Sequence, residues 1–226
     1  MLTDVWPLFG LVLRTPRLEL RVPSLEQLAG LAELAELADE GVHDPAAMPF
    51  LVSWTDLPPC PRGRSVLQHQ WRQWGALTPQ QWTLELAVLA GGEPVGIQSI
   101  GGTEFAVTRE VHTGSWLGRR HHGRGIGTEM RAAVLHLAFA GLGADWAVSS
   151  ALDGNHASIG VSRKLGYAED GIALQTVRGR RRIDRRFRID RETWVTRRTV
   201  PVRIEGLEPC RELLGAVSAV AAAATA

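Results

Sequence analysis

The sequence predicts an α/β fold in which an antiparallel run of strands feeds a strand–helix–strand crossover. Three observations predict it. Segments that alternate apolar and polar residues are interleaved with segments whose apolar residues recur every three or four positions. A Gly91-Gly92 pair separates two strand-like segments and marks a hairpin. A glycine-rich stretch, 118–127, stands between a strand and a helix. The 226 residues, 45% hydrophobic and 22% charged, suit one globular domain with appendages rather than a disordered or collagen-like chain.

The elements follow in order. Residues 17–22 (RLELRV) alternate as a first strand, which Pro23 stops. Ser24 can cap a helix over 25–38, whose leucines at 25, 28, 31, 34 and 37 drift around its axis, so several sides need cover. Residues 41–61 carry five prolines and no period. They read as a long loop, either a substrate lid or a plain surface connection. A second helix is predicted over 64–77, with Trp71 and Trp74 among its apolar residues. Strands at 82–89 and 95–100 form the hairpin, Gly101-Gly102 opens another loop, and 110–117 (EVHTGSWL) is the next strand. A helix over 128–140, a strand over 146–152 and a short helix over 155–165 ending at Gly166 make the crossover. A hairpin of 167–177 and 183–189, a strand at 199–204 and a frayed alanine-rich tail complete the chain.

Composition excludes several classes. No apolar run approaches the length of a transmembrane helix, and the first residues lack the basic start and small-residue cleavage site of a signal peptide. With 25 basic and 24 acidic residues the chain has no global attraction for nucleic acid. Cys60 and Cys210 are read as free thiols, so a cytoplasmic protein is expected. His121, His122 and His156 lack a third ligand at suitable spacing, so no metal is expected.

The strongest local signal is His121-His122-Gly123-Arg124-Gly125-Ile126-Gly127-Thr128. Glycines at alternate positions let the backbone run close to a ligand, and the following helix offers free amides and its positive dipole end. A phosphate fits such a corner. The nucleotide P-loop fails for want of its lysine, and the dinucleotide fingerprint fails on spacing.

What is left, His122-Gly123-Arg124-Gly125-Ile126-Gly127, resembles the [Q/R]-x-x-G-x-[G/A] signature of the GNAT superfamily of acyl-CoA-dependent N-acyltransferases, with His122 departing from the usual first residue. A second motif, Asn155-His156-Ala157-Ser158 followed by Lys164-Leu165-Gly166-Tyr167, resembles the RimJ/RimL-type branch. The stretches GSWLG and GTEMRAAVLH are similar to an actinobacterial subgroup of it. The resemblance spans residues 17–194 and implies a mixed, mostly antiparallel sheet splayed between two parallel strands, with helices on both faces. It implies an acyltransferase domain over 1–195 and a strand extension with an alanine-rich tail over 196–226.

It also implies a site. The pantetheine arm of acetyl-CoA, or of another acyl-CoA such as succinyl-CoA, enters between strands 110–117 and 146–152. Ser115, Trp116 and Leu117 bind it through their backbone, and an amide near Leu117 steadies the oxyanion. His122, Gly123, Arg124, Gly125, Ile126, Gly127 and Thr128 hold the diphosphate, with the side chains of Arg119, Arg120 and Arg124 as further contacts. Asn155 caps its helix and touches the pantetheine arm, and Ser158 protonates the leaving thiolate. The tyrosine that many members carry on this helix is replaced by Ser162, and Tyr167 reads as core.

An amine attacks the thioester directly, so a base is needed; His112 and Glu104 are favoured, with Glu110, Glu85 and ordered water as other routes. Residues 178–188 hold seven arginines. They read as a solvated hairpin, as a subsite for an anionic acyl group or acidic substrate, or as a nucleic-acid contact. The expected activity is N-acylation of a primary amine on a small molecule, peptide or protein, with a homo-oligomer open and no membrane or nucleic-acid partner expected. The competing class is a CoA-binding sensor that has lost turnover.

Overall fold

The computed structural model describes residues 1–36 and 41–216. A short helix α1 (Leu2–Val5) and a 3₁₀ turn precede strands β1 (Val12–Arg14) and β2 (Leu18–Arg21). Helices α2 (Leu25–Glu36) and α3 (Pro59–Ala76) follow, then β3 (Gln81–Ala90), β4 (Glu93–Thr103), the four-residue helix α4 (Phe105–Thr108) and β5 (Glu110–Leu117). Helix α5 (Ile126–His136) runs on as a π segment (Leu137–Leu142). Next come β6 (Trp146–Leu152), α6 (His156–Leu165), β7 (Ala168–Val177), β8 (Arg180–Asp190), α7 (Arg191–Arg197) and β9 (Arg203–Glu205).

Among the described residues nine strands form one sheet in the order β7-β8-β6-β5-β4-β3-β2-β1-β9. Every neighbouring pair is antiparallel except β5 and β6. This is the mixed, mostly antiparallel sheet that the family resemblance implied. Alternation sorts the side chains of β3: Leu84, Leu86 and Val88 enter the core beneath α5 and α6, whereas Ala87 and Leu89 enter the one beneath α2 and α3. Helices therefore cover both faces.

The parallel pair positions everything that follows. Its register runs from Glu110↔Trp146 to Thr113↔Ser149 and stops there. β5 stays paired to β4 as far as Leu117↔Gly96, and β6 to β8 as far as Leu152↔Asp184. The inner edges of 114–117 and 150–152 thus diverge into a fork whose backbone groups have no strand partner among the described residues.

Several boundaries differ from expectation for local reasons. β1 was missed because Leu11, Val12 and Leu13 are all buried, so its sequence does not alternate. α3 begins at Pro59, not residue 64, because prolines fit a first turn whose N–H groups need no partner. β4 continues through Gly101 and Gly102 instead of breaking there: a Cβ at 101 would lie 2.4 Å from the His112 ring, and one at 102 would lie 3.0 Å from Trp82 and Phe105. These glycines make room within a strand. α5 starts two residues earlier than expected, at Ile126, and α7 was not foreseen; the Asp190 carboxylate caps α7 by accepting from Thr193 N at 2.6 Å. The last strand is only Arg203–Glu205, since Pro201 has no N–H to give a ladder. The predicted end of α2 at 37–38 and the tail from 217 onward lie outside the described residues. Ser24 does cap α2, in a reciprocal box with Gln27. Both cysteines are free, Cys60 exposed and Cys210 buried, with burial raising the Cys210 thiol to about 11.

Candidate functional site

From Leu117 the chain passes Gly118 and a 3₁₀ turn (Arg119–His121) into the glycine loop. Gly123 and Gly125 have φ of 72° and 77°, the left-handed region that a side chain disfavours. Gly125 is the N-cap of α5, and among the described residues no side chain caps that end. The first amides of an 11-residue helix are therefore available beside the fork, a ready anion site. Ile126, Gly127 and Thr128 form the first turn, and a Cβ at Gly127 would meet Val161 of α6 at 3.7 Å.

His122 has a definite local role. Its Nε2 lies 2.9 Å from the Leu117 carbonyl, to which the ring donates in the matching tautomer, tying the loop to the end of β5. Arg17 was not singled out in the sequence. It donates through Nη1 to the Arg124 carbonyl (3.0 Å) and through Nε to Glu129 (2.6 Å), which also accepts from Thr15 Oγ1 (2.6 Å). A half-exposed guanidinium thus flanks the loop. Among the expected phosphate arginines, Arg119 and Arg120 sit in the 3₁₀ turn, and Arg120 donates to His121.

The fork is lined from the α5 side by Ser115, Ser149 and the buried Arg131, which reaches both serines. On the neighbouring α6, the Asn155 side chain accepts from Ser158 N at 3.2 Å. Ser158 is in the first turn, Ser162 is fully buried with its hydroxyl unpartnered, and Tyr167 is core, its phenol raised by burial. Asn155→Ala is expected to lower unfolding stability by about 1 kcal/mol through the lost cap, read from urea midpoints. Asn155→Ser keeps a capping hydroxyl, so any loss of CoA affinity it shows reports a contact beyond the cap.

The opposite face carries the candidate bases. His112 stands one residue before the fork, its ring lying on Gly101. The residue is exposed on one side, but packing on the strands beneath it desolvates the ring and lowers its pKa, while Glu85 and Glu110 oppose the shift. Glu85, 8% exposed, accepts from Ser99 Oγ at 2.6 Å and meets His69 Nε2 at 3.2 Å. Held by β4 and α3 in this way, Glu85 is a buried carboxylate that bears on His112 across the sheet, which sequence spacing could not reveal. Glu110 is engaged with Arg188 at 2.9 Å. Glu104 is not brought to the fork. It follows the end of β4, in the left-handed region at φ 49°, at the opposite end of β5 from the divergence.

The proline-rich loop bridges both arms of the fork. Trp54 packs on Trp116 of β5 with ring centroids 5.6 Å apart, and Met48 clusters with Leu152 of β6 and Val177. Arg178 pins it to the β7–β8 turn through Asp56, whose carboxyl it holds below the usual range. A 410 Å³ cavity lies there, lined by His43, Thr55, Asp56, Arg62 and Arg178 among others. The arginine run is largely balanced: Arg178, Arg185, Arg186 and Arg188 all pair with acids. Among the described residues no group of three or more His, Cys, Asp or Glu is arranged to hold a metal ion, and no helix is long and apolar enough to cross a membrane.

Residues 17–168 match the family described as the acetyltransferase (GNAT) domain. Among solved structures, Mycobacterium smegmatis RimJ in complex with CoA-disulfide aligns with a TM-score of 0.66 at 22% identity, covering 81% of this chain and 88% of that one. RimL, a ribosomal L7/L12 α-N-protein acetyltransferase in complex with coenzyme A, aligns at 0.60 and 16%, covering 79% and 97%. A GCN5-related N-acetyltransferase from Brucella melitensis aligns at 0.62 and 15%, covering 81% and 80%. At these identities the structural likeness speaks for the fold.

Proposed function

The chain belongs to the GNAT acetyltransferase family, and we propose that it moves an acetyl group from CoA to a primary amine of a small molecule, peptide or protein. The observation that carries the reading is the fork in the sheet with the uncapped start of α5 beside it. The two features suit the two ends of an acyl-CoA co-substrate. Amides of Gly123 to Thr128 suit a diphosphate, with Arg17 and Arg124 adding charge. The unpaired backbone of Ser115, Trp116 and Leu117 suits the amides of a pantetheine arm. Asn155 and Ser158 flank the same cleft from α6, and Ser158 is the proposed proton donor to the departing thiolate.

The co-substrate supplies an activated thioester. The protein supplies orientation, charge and a base. We assign the base to His112 rather than Glu104, because only His112 stands beside the divergence. Its lowered pKa keeps the ring neutral at pH 7, able to accept a proton from an ammonium directly or through water. An amide at the end of β5 near Leu117 is the proposed donor to the carbonyl oxygen. The bridging loop and its cavity are the proposed acceptor region. Pairing of four of the seven arginines 178–188 with acids favours acetyl over succinyl. We assign the catalytic unit to residues 1–195, with 196–226 as an extension, acting in the cytoplasm.

Glu85→Gln tests the electrostatics. Glu85 raises the His112 pKa, so its neutralisation is expected to move the acid limb of kcat/KM to lower pH. An acid limb that stays put removes His112 from the role. The replacement of a helix tyrosine by Ser162 favours a second reading, a CoA-binding sensor without turnover. A thiol-release assay over a panel of amines separates the two: turnover with any amine supports the transferase. CoA binding with no turnover for every donor and amine supports the sensor.

A further inference from the structure

Arg131 lies on the inward side of α5 and is 3% exposed. Its Nη1 donates to Ser149 Oγ at 2.9 Å and its Nη2 to Ser115 Oγ at 3.4 Å, while its Nε has no partner. Among the described residues no carboxylate forms an ion pair with it. A guanidinium held out of water without a counter-charge is costly, so the fold retains a cation at some expense to itself. Where it sits is informative. Ser149 belongs to the last rung joining β5 to β6, and Ser115 is two residues beyond that rung on the open arm. Each hydroxyl accepts from the guanidinium, which leaves its own hydrogen to be donated elsewhere. The buried phenol of Tyr167 lies beside Arg131 and Thr113, whose charge and hydrogen bonding oppose the rise that burial causes in its pKa. The vertex of the fork is a largely buried, positive, proton-donating cradle built from α5, β5 and β6.

We propose that this cradle stabilises the charge on the sulfur of the leaving CoA thiolate before Ser158 returns a proton to it, with Ser115 and Ser149 as hydrogen-bond donors to the sulfur and Arg131 as the positioning cation behind them. The inference rests on the acyl-CoA reading above. As the amine nitrogen forms its bond to the carbonyl carbon, the carbon–sulfur bond breaks and its electron pair stays on sulfur. The surplus amine proton leaves by His112. Charge that appears on sulfur then meets a preorganised positive site rather than water.

The test is the titration of CoA's own thiol when bound, followed by the ultraviolet absorbance of the thiolate. In the unaltered protein the acid dissociation constant of bound CoA is expected to exceed that of free CoA by about tenfold or more. Arg131→Gln should return it to the free value and lower kcat about 100-fold, and Arg131→Lys should keep part of the shift. A simple brace between the two strands would cost stability yet leave the bound thiol unchanged. Should Arg131→Gln fail to fold, the unaltered protein decides alone: a bound thiol that titrates like free CoA overturns the proposal. Binding and turnover with an unshifted thiol removes only this inference, whereas failure of CoA to bind removes it together with the acyl-CoA reading.

Discussion

Replacing His112 by alanine is expected to lower kcat/KM by about 10²- to 10⁴-fold and to abolish the acid limb of its pH profile. The size follows from general-base catalysis by a positioned imidazole. The shape follows from the pKa. Burial disfavours the imidazolium, and Glu85 and Glu110 only partly offset it, so the group titrates below the ordinary histidine range. Activity in the unaltered protein should therefore hold through neutral pH and fall as the ring is protonated. CoA affinity serves as the control. His112 projects on the face away from α5 and the glycine loop, so the alanine variant should bind CoA as before. A variant with full activity and the same acid limb would assign the base elsewhere.

A second large effect is expected at the glycine loop. Gly123 has a positive φ, and a Cβ placed there would meet nothing within 4 Å. Asparagine and aspartate are the side chains that tolerate this backbone best, so neither should perturb the fold much. They differ in charge alone. A carboxylate about 4 Å from a diphosphate costs about 4 kcal/mol at a surface-like dielectric, and screening reduces that. Gly123→Asp is expected to weaken CoA binding about 100-fold, and Gly123→Asn less than about tenfold, by titration calorimetry. Added salt should narrow the gap. Equal affinities in the two variants would mean that no phosphate approaches this turn.

What could be read from the sequence was local. β5 and β6 match their expected bounds because each is short, apolar-alternating and closed by glycine or a turn. The left-handed glycines before α5 and the Asn155 cap are likewise decided within a few residues. The setting of His112 was not legible, since Glu85 bears on it from β3 through the register of the sheet, and Glu85 is itself held by Ser99 of β4 and His69 of α3. Arg131 did leave a trace: it is a charged residue in a run, Met130 to Leu135, whose other members are all apolar. The bridging of the fork by the proline-rich loop depends on aromatic contacts between residues more than 60 positions apart, Trp54 and Trp116, and no short pattern encodes it.

The mid-strand glycine under the His112 ring is fixed from two sides. A Cβ at 101 would meet the imidazole and, independently of it, the backbone carbonyl oxygen of Trp82 at 2.7 Å. Loss of the imidazole therefore does not license a larger residue at 101. The two positions are free to drift unequally: the ring can be exchanged, whereas the glycine is held by main chain whatever stands opposite it.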